Sequence, residues 1–457
     1  MVSVRRVSAR PRLVLALICV ASFLVYLDTS ITPVAVPAIR ADFGAGPSVA
    51  QWLLDAYTLA FACLLLTAGS LGDRLGRKSV LLAGIAGFTL ASVACAAAPD
   101  SGALIAARGA QGVFAAAVVP VSLAATAGLF TDARARARAI GVWGGTSGVA
   151  LALGPLLGGL LVEGAGWRSM FWINLPIGVV AFAGLLWTMP RVAPSGGRRI
   201  DVPGQVLFVA GAAAVTYVLI EGRMLGWDSP VVLGVLAGGL VALGAFVAWQ
   251  RRTSEPMLPP RLLGIREVAL ACAVNFLGLF GLYAVLYLVT VHLQEVLGLS
   301  PMATGVRFLA LFGCLGVTAV LASAVAARLG TRVTMALGLA CITAGLLGLT
   351  LLETGAGYWA YGWALVLLGV GVPLSSGVVA IQAMMGAVPP ELSGTASGSM
   401  NTFRQFGAVV GVALAGLLSP GPGTLWVTFA VAAAGALLAG VLVMAQRPAA
   451  ARVPERV

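Results

Sequence analysis

The sequence predicts an all-α polytopic membrane protein: two related six-helix halves plus two inserted helices, fourteen transmembrane helices in all. Three observations carry this. The chain is 60% hydrophobic and 10% charged, where a soluble domain carries about 25% charged residues, so lipid must solvate most of its surface. Fourteen apolar runs approach or exceed the ~20 residues that cross a bilayer core. Lysine and arginine concentrate between alternate runs, as in the cytoplasmic loops of a membrane protein.

The runs lie near 13–38, 50–72, 80–98, 102–129, 139–162, 168–188, 202–220, 231–249, 268–294, 304–327, 333–352, 358–385, 395–418 and 424–445. The first follows Arg5, Arg6, Arg10 and Arg12 but continues past Asp28 to Ile39, too long for the core of a signal peptide. With the N-terminus inside, the inner segments hold 22 of the 28 Lys and Arg residues. The outer segments hold Arg40, Arg168 and Arg223, and Arg108, Arg307 and Arg404 fall within runs. A wrong span count would scramble this alternation, so both termini are expected in the cytoplasm, with the chain in a cell membrane.

The same distribution removes nucleic acid as a partner. A net charge of +12 spread over many short loops is not a single basic face. Cys19, Cys63, Cys95, Cys272, Cys314 and Cys341 all sit in apolar runs, without metal-ligand or disulfide spacing, and read as packing residues. No metal or cofactor is expected. An enzyme finds no support either: there is a single histidine, His292, no nucleophile–base constellation and no phosphate loop.

Ser70–Gly84 (SLGDRLGRKSVLLAG) and Ala324–Gly338 (AVAARLGTRVTMALG) match in type, with Arg-Leu-Gly and the last glycine identical. Each copy separates the second and third runs of a six-run group. The expected organisation is 1–190 as the N-terminal half, 191–267 as two linker helices with cytoplasmic connections, and 268–457 as the C-terminal half with a short tail. Parallel six-helix repeats enclosing a central site are a transporter plan.

The stretch Gly69-Ser-Leu-Gly72-Asp73-Arg74-Leu-Gly76-Arg77-Lys78 resembles the loop 2–3 signature of the major facilitator superfamily. Leu104-xxx-Arg108-xx-Gln111-Gly112 resembles its span-4 arginine motif. Gly148-VALAL-Gly154-Pro155-LL-Gly158-Gly159 resembles the span-5 antiporter motif of its drug exporters. Leu27-Asp28-TSITPVAVP-Ala38-Ile39 and Trp167-Arg168-xx-Phe171-xx-Asn174-x-Pro176-x-Gly178 are similar to patterns of its fourteen-helix drug:proton antiporter branch. The resemblance implies proton-coupled export of small amphipathic compounds such as antibiotics, from a bacterial cytoplasmic membrane, by a monomer. A metabolite exporter or an importer on the same fold is the alternative. The partners are then a small-molecule substrate, protons and the lipid bilayer.

Asp28 is the leading residue for the chemistry. A carboxylate in an apolar span costs several kcal/mol and so lines a cavity or pairs. Arg108 lies at a similar depth, about 10–15 Å from the outer end at 1.5 Å per residue. In the resembled fold spans 1 and 4 line one cavity, and this arginine is associated with proton coupling. A purely structural pairing is the other reading of both.

Possible cavity residues are Asp55 and Tyr57 on span 2, Gln111 on span 4, and Asn401 and Arg404 on span 13. Phe276, Phe280, Tyr283 and Tyr287 share one face of span 9 by their spacing and suit flat or cationic substrates, or plain packing. The span-5 glycines Gly148, Gly154, Gly158 and Gly159 permit close helix approach, and Pro155 permits a bend. The family implies that this region packs on the other half and sets the outer seal. The loop Gly69, Gly72, Asp73, Arg74, Gly76, Arg77 and Lys78 reads as a conformational latch, with Asp73 implied to face the start of span 13 after Pro389 and Pro390.

Overall fold

Long apolar stretches punctuated by glycine, proline and capping residues become a succession of helices. The computed structural model describes residues 11–191, 200–350, 357–385, 387–388, 392–418 and 424–445. They form α1 (Pro11–Phe43), α2 (Pro47–Leu75), α3 (Arg77–Ala96), α4 (Ser101–Leu129), α5 (Ala133–Ala165), α6 (Ser169–Trp172), α7 (Asn174–Thr188), α8 (Val202–Leu225), α9 (Pro230–Arg252), α10 (Pro260–Leu263), α11 (Arg266–Val291), α12 (Pro301–Leu329), α13 (Thr331–Leu349), α14 (Tyr358–Ser375), α15 (Val378–Met385), α16 (Ser393–Leu418) and α17 (Thr424–Met444). A π-helical turn, His292–Val296, continues α11. Side-chain caps start several of them: Asp100, Asp132, Asp201 and Ser300 each accept from the backbone N–H three residues on. Proline stands in the first turn of α2, α8, α9 and α12, where its missing N–H is harmless.

Among the described residues, twelve helices are long and apolar enough to cross a membrane, where fourteen were expected. The remaining two expected runs are α16 and α17. Asn401, Arg404 and Gln405 dilute the apolar character of α16, and α17 contributes the shorter stretch Ala432–Met444. The expected run 358–385 is broken at Ser376–Gly377, where Gly377 has φ +63° and the buried Asn275 of α11 accepts from its N–H at 2.9 Å.

The polar stretch 69–78 is not a loop. α2 runs through it to Leu75 and α3 begins at Arg77, so the break is Gly76 alone, at φ +90°. Only glycine takes such a conformation without strain. Its repeat counterpart Gly330, at φ +81°, makes the same one-residue break between α12 and α13. The correspondence extends to neighbours. Lys78 donates to the Leu186 and Met189 carbonyls at the end of α7, at 2.7 and 2.6 Å. Arg332, at the matching position, donates to Met444 O at 2.6 Å, at the end of α17. Both place a cation on the negative end of a helix.

α8 fills the groove between α2 and α16. Trp52 Nε1 donates to Glu221 at 2.8 Å, Gln205 bonds Thr67 and the Cys63 carbonyl of α2, and Phe208 meets Phe406 of α16 edge-on at 5.1 Å. α9 packs chiefly on α8, with Gly239 against Ala214.

α5 and α12 cross closely at the face where α1 ends, here termed the distal face. A Cβ at Gly305 would lie 2.2 Å from the Pro155 carbonyl, and one at Gly159 would lie 2.6 Å from Met302 Cα. Arg40 pairs with Glu295, Gln294 donates to Val34 O at 2.9 Å, and Glu163 accepts from Met302 N at 3.3 Å at the same face. Nearer the face where α1 begins, Gly141, Gly144 and Gly145 of α5 have open space beside them. The molecule is thus sealed distally.

Gly76→Val forces a β-branched residue to φ +90°, at about 1–2 kcal/mol, and is expected to lower the melting temperature of the purified protein. Gly69→Ala, on a helical glycine with nothing within 4 Å of its absent Cβ, is expected to leave it unchanged or slightly raised. Differential scanning fluorimetry in detergent checks both.

Candidate functional site

Asp28 sits at mid-length in α1 with 0% of its surface exposed, and Arg108 of α4 with 1%. Isolated, either charge would cost several kcal/mol in this setting. The two form an ion pair, Arg108 Nη1 to Asp28 Oδ2 at 2.5 Å. The other carboxylate oxygen accepts from Asn174 Nδ2 at 2.9 Å and Gln111 Nε2 at 3.2 Å. The guanidinium also donates to Gln111 Oε1 at 2.8 Å and to the Leu53 carbonyl of α2 at 3.2 Å. Ser92 of α3 accepts from Gln111 and Asn174. The Tyr57 ring lies 4.4 Å from the Arg108 guanidinium carbon, a cation–π contact, and Phe171 lies 5.8 Å away.

The site therefore draws on α1, α2, α3, α4, α6 and α7. Close helix packing makes this possible. A Cβ at Gly112 would lie 2.2 Å from Tyr57 O, and one at Gly178 would lie 2.0 Å from Thr89 Oγ1. Gly154 and Gly158 bring α5 onto α1, against Ser30 and Ile31, while Gly159 faces α12. The span-5 glycines thus split between the two partners, and only part of the motif meets the other six-helix group. Gly148 is the looser member, with Gly316 Cα 3.9 Å from its hypothetical Cβ.

Asp28, Arg108, Gln111 and Tyr57 come together. Ser92, Phe171 and Asn174 join them without having been singled out as site residues. Phe171 and Asn174 do stand in the Trp167–Gly178 pattern, which was the available signal; a lone serine in an apolar helix such as Ser92 offered none. Asp55 stands apart. It is fully buried, and neither carboxylate oxygen has a hydrogen-bond partner. It shares a helix stripe with Gln51, which donates to Ala413 O of α16, and with Leu59, which packs beside Ala212 of α8 and Val409 of α16.

The aromatic stripe of α11 also divides. Phe276 lines an apolar side cavity of about 610 Å³ with Phe208 of α8 and Thr402, Phe403 and Phe406 of α16. Phe280 and Tyr287 are buried, the backbone of Phe280 lying against Gly411. Tyr283 is half-buried and lies in the electrostatic field of Arg404. Arg404 donates to Asn401 Oδ1 at 2.9 Å and engages the Tyr26 hydroxyl of α1. Tyr26, Tyr283, Asn401 and Arg404 thus form a half-exposed polar cluster contributed by α1, α11 and α16.

In the 69–78 stretch, Asp73 accepts from Arg77 Nη2 at 3.0 Å, and Arg77 Nη1 reaches Ala124 O of α4 at 2.8 Å. Gly72 packs on Val121, Gly69 meets nothing, and Arg74 is exposed. The start of span 13, expected opposite Asp73, follows Pro389 and Pro390, which lie outside the described residues. His292, the single histidine, is buried in the π-helical turn, with Nε2 lacking a hydrogen-bond partner. Among the described residues no cluster of His, Cys, Asp and Glu could hold a metal ion.

The profile of the Major Facilitator Superfamily matches residues 18–412. The multidrug resistance protein Stp of Mycobacterium tuberculosis is 37% identical over 398 residues, 86% of this chain and 73% of its own. The puromycin resistance protein pur8 of Streptomyces alboniger is 39% identical, over 89% of this chain and 81% of its own. The tetracenomycin C resistance and export protein of Streptomyces glaucescens is 33% identical, over 90% and 76%. Among solved structures, a peptide transporter superposes with TM-score 0.68 at 15% identity, covering 94% of this chain and 93% of that one, a likeness of fold.

Removing one partner of the buried pair should destabilise by about 3–5 kcal/mol. Arg108→Met alone is expected to unfold far more readily than the double variant Asp28→Asn, Arg108→Met. A double-mutant cycle in denaturant, on detergent-solubilised protein, measures the coupling; additive effects would contradict the pairing.

Proposed function

The chain belongs to the Major Facilitator Superfamily, and from that footing we propose that it exports small amphipathic compounds of the antibiotic kind across the bacterial cytoplasmic membrane in exchange for protons. It is a transporter rather than an enzyme. The observation that carries the exchange is the buried Asp28–Arg108 pair: a carboxylate at mid-span whose charge is held by one guanidinium and two amides. Taking up a proton there breaks the ion pair and leaves Arg108 on Gln111, the Leu53 carbonyl and the Tyr57 face. A site with two such arrangements is a two-state element that proton binding biases.

With the distal face outside, the sealed α5–α12 crossing is the state open to the cytoplasm, and Asp28 is ion-paired, its proton released. Substrate enters, the two six-helix groups rock, and the distal crossing opens. Asp28 then takes a proton from outside as substrate leaves. In this reading α16 and α17 complete fourteen crossings, 1–190 and 268–457 are the moving halves, both termini are cytoplasmic, and α8 and α9 form an inserted pair. Gly76, with Asp73, Arg77 and Lys78, acts as the cytoplasmic latch. The names of the relatives, which speak of resistance to or export of antibiotics, support export over uptake.

Two measurements test this. In everted vesicles given an inside-acid gradient, wild-type protein is expected to accumulate tetracenomycin C, and Asp28→Asn to lose that accumulation while remaining folded and inserted. Retained proton-driven uptake in Asp28→Asn removes this residue from coupling. Independently, Gly159→Leu places a side chain where a Cβ alone would lie 2.6 Å from α12. It should prop the distal crossing open, raising thiol-reagent labelling of a cysteine introduced at Ile31; unchanged labelling would show that this crossing is not the outer gate.

A further inference from the structure

Among the described residues, four charged side chains lie beyond the seventh residue from either end of a helix: Asp28, Asp55, Arg108 and Arg404. Asp28 and Arg108 neutralise one another and are buried. Asp55 is buried, on the stripe that carries Gln51 and Leu59 toward α8 and α16. Arg404 is different. It is half-exposed, and among the described residues no carboxylate lies within ion-pair distance of it. It is therefore the one of the four that is neither ion-paired nor buried.

Its surroundings are rich in donors. The guanidinium carries five N–H groups in a planar fork, one of which is taken by Asn401 Oδ1. The hydroxyls of Tyr26 and Tyr283, from α1 and α11, share the field of the same guanidinium. Flat apolar surface stands beside this polar group: Trp143 of α5 meets Tyr26 edge-on, with ring centroids 6.3 Å apart. The cluster gathers residues from α1, α11 and α16, which lie far apart in the chain.

We propose that Arg404, with Tyr26, Tyr283 and Asn401, forms the substrate-binding subsite, and that it selects planar organic anions: a carboxylate, enolate, phenolate or sulfonate on a ring system. The inference rests on the exporter reading for its role in transport, but not for binding. A bidentate guanidinium recognises such groups best, and a lipophilic cation would meet an unpaired like charge. The choice has a consequence for energetics. Exporting a monoanion against n entering protons moves n + 1 positive charges inward, so the membrane potential drives each turnover more strongly than it would drive export of a neutral compound.

The test uses two dyes on one scaffold, fluorescein as the anion and rhodamine 6G as the cation, with full-length protein in lipid nanodiscs. Fluorescence polarisation is expected to show fluorescein binding at least about tenfold tighter than rhodamine 6G, the scale of a charge-assisted hydrogen bond. Arg404→Gln should lose about tenfold or more for fluorescein and nothing for rhodamine 6G, and Arg404→Lys, which keeps the charge but not the planar fork, should recover only part of the loss. Equal or tighter rhodamine 6G binding by wild type, no fluorescein binding by folded wild type, or wild-type fluorescein affinity in Arg404→Gln would each overturn the proposal. The wild-type comparison decides even where a variant fails to fold. Energised everted vesicles separate the two readings: fluorescein bound but not accumulated rejects the exporter and keeps the subsite, whereas rhodamine 6G accumulated and fluorescein ignored keeps the exporter and rejects the subsite.

Discussion

A bilayer interior cannot hold an uncompensated ion cheaply, and the pairing of Asp28 with Arg108 is the arrangement on which the first six-helix group depends. Each partner is satisfied only because several helices converge. Asn174 must arrive from α7, Ser92 from α3 and the Leu53 carbonyl from α2. Gly112 and Gly178 allow those helices to approach within van der Waals contact. The site and the packing are one solution: helices spaced for ordinary side chains would leave the carboxylate short of partners.

That economy contrasts with the second six-helix group. Among the described residues its buried side chains include no Asp, Glu, Lys or Arg, and its mid-span charge, Arg404, is left half-exposed. A closed ion pair in one group suits storage of a proton-sensitive charge. An open guanidinium in the other suits contact with something that comes and goes. Tyr57 belongs with the closed pair, packed on Arg108 through its ring and accepting from Thr29 through its hydroxyl at 3.1 Å.

The repeat also acquires physical content. Four identities in fifteen residues, Ser70–Gly84 against Ala324–Gly338, are little by themselves. Gly76 and Gly330 both take positive φ at one-residue breaks, Lys78 and Arg332 both cap the last helix of their group, and Gly84 and Gly338 both pack on the following helix, α4 and α14 respectively. Conserved mechanics explain the matching positions. The ionic partner of the first copy, Asp73, has no counterpart at Ala327, so any latch built on it acts on one side only.

Helix positions were legible in the residue order because helix formation and membrane affinity are set by some twenty neighbouring residues, and each expected run corresponds to helical structure. Single-residue turns were not, since a helix can carry Asp73 and Arg74 in its last turns when they point to water; this is why the polar stretch 69–78 read as a loop. Asp28 and Arg108 could be named, and their depth suggested a pairing, because charge in an apolar run is a local anomaly. Asn174 and Ser92 could not be placed beside them, nor Asp55 away from them, because those facts depend on which faces of distant helices meet: Arg108 and Asn174 lie 80 and 146 positions from Asp28. Sequence alone determined the class, the helices and the membrane. Tertiary packing decided which glycines face which helix, which carboxylate is paired, and that Arg404 stands open, since each is a property of contact across the bundle and none of local composition.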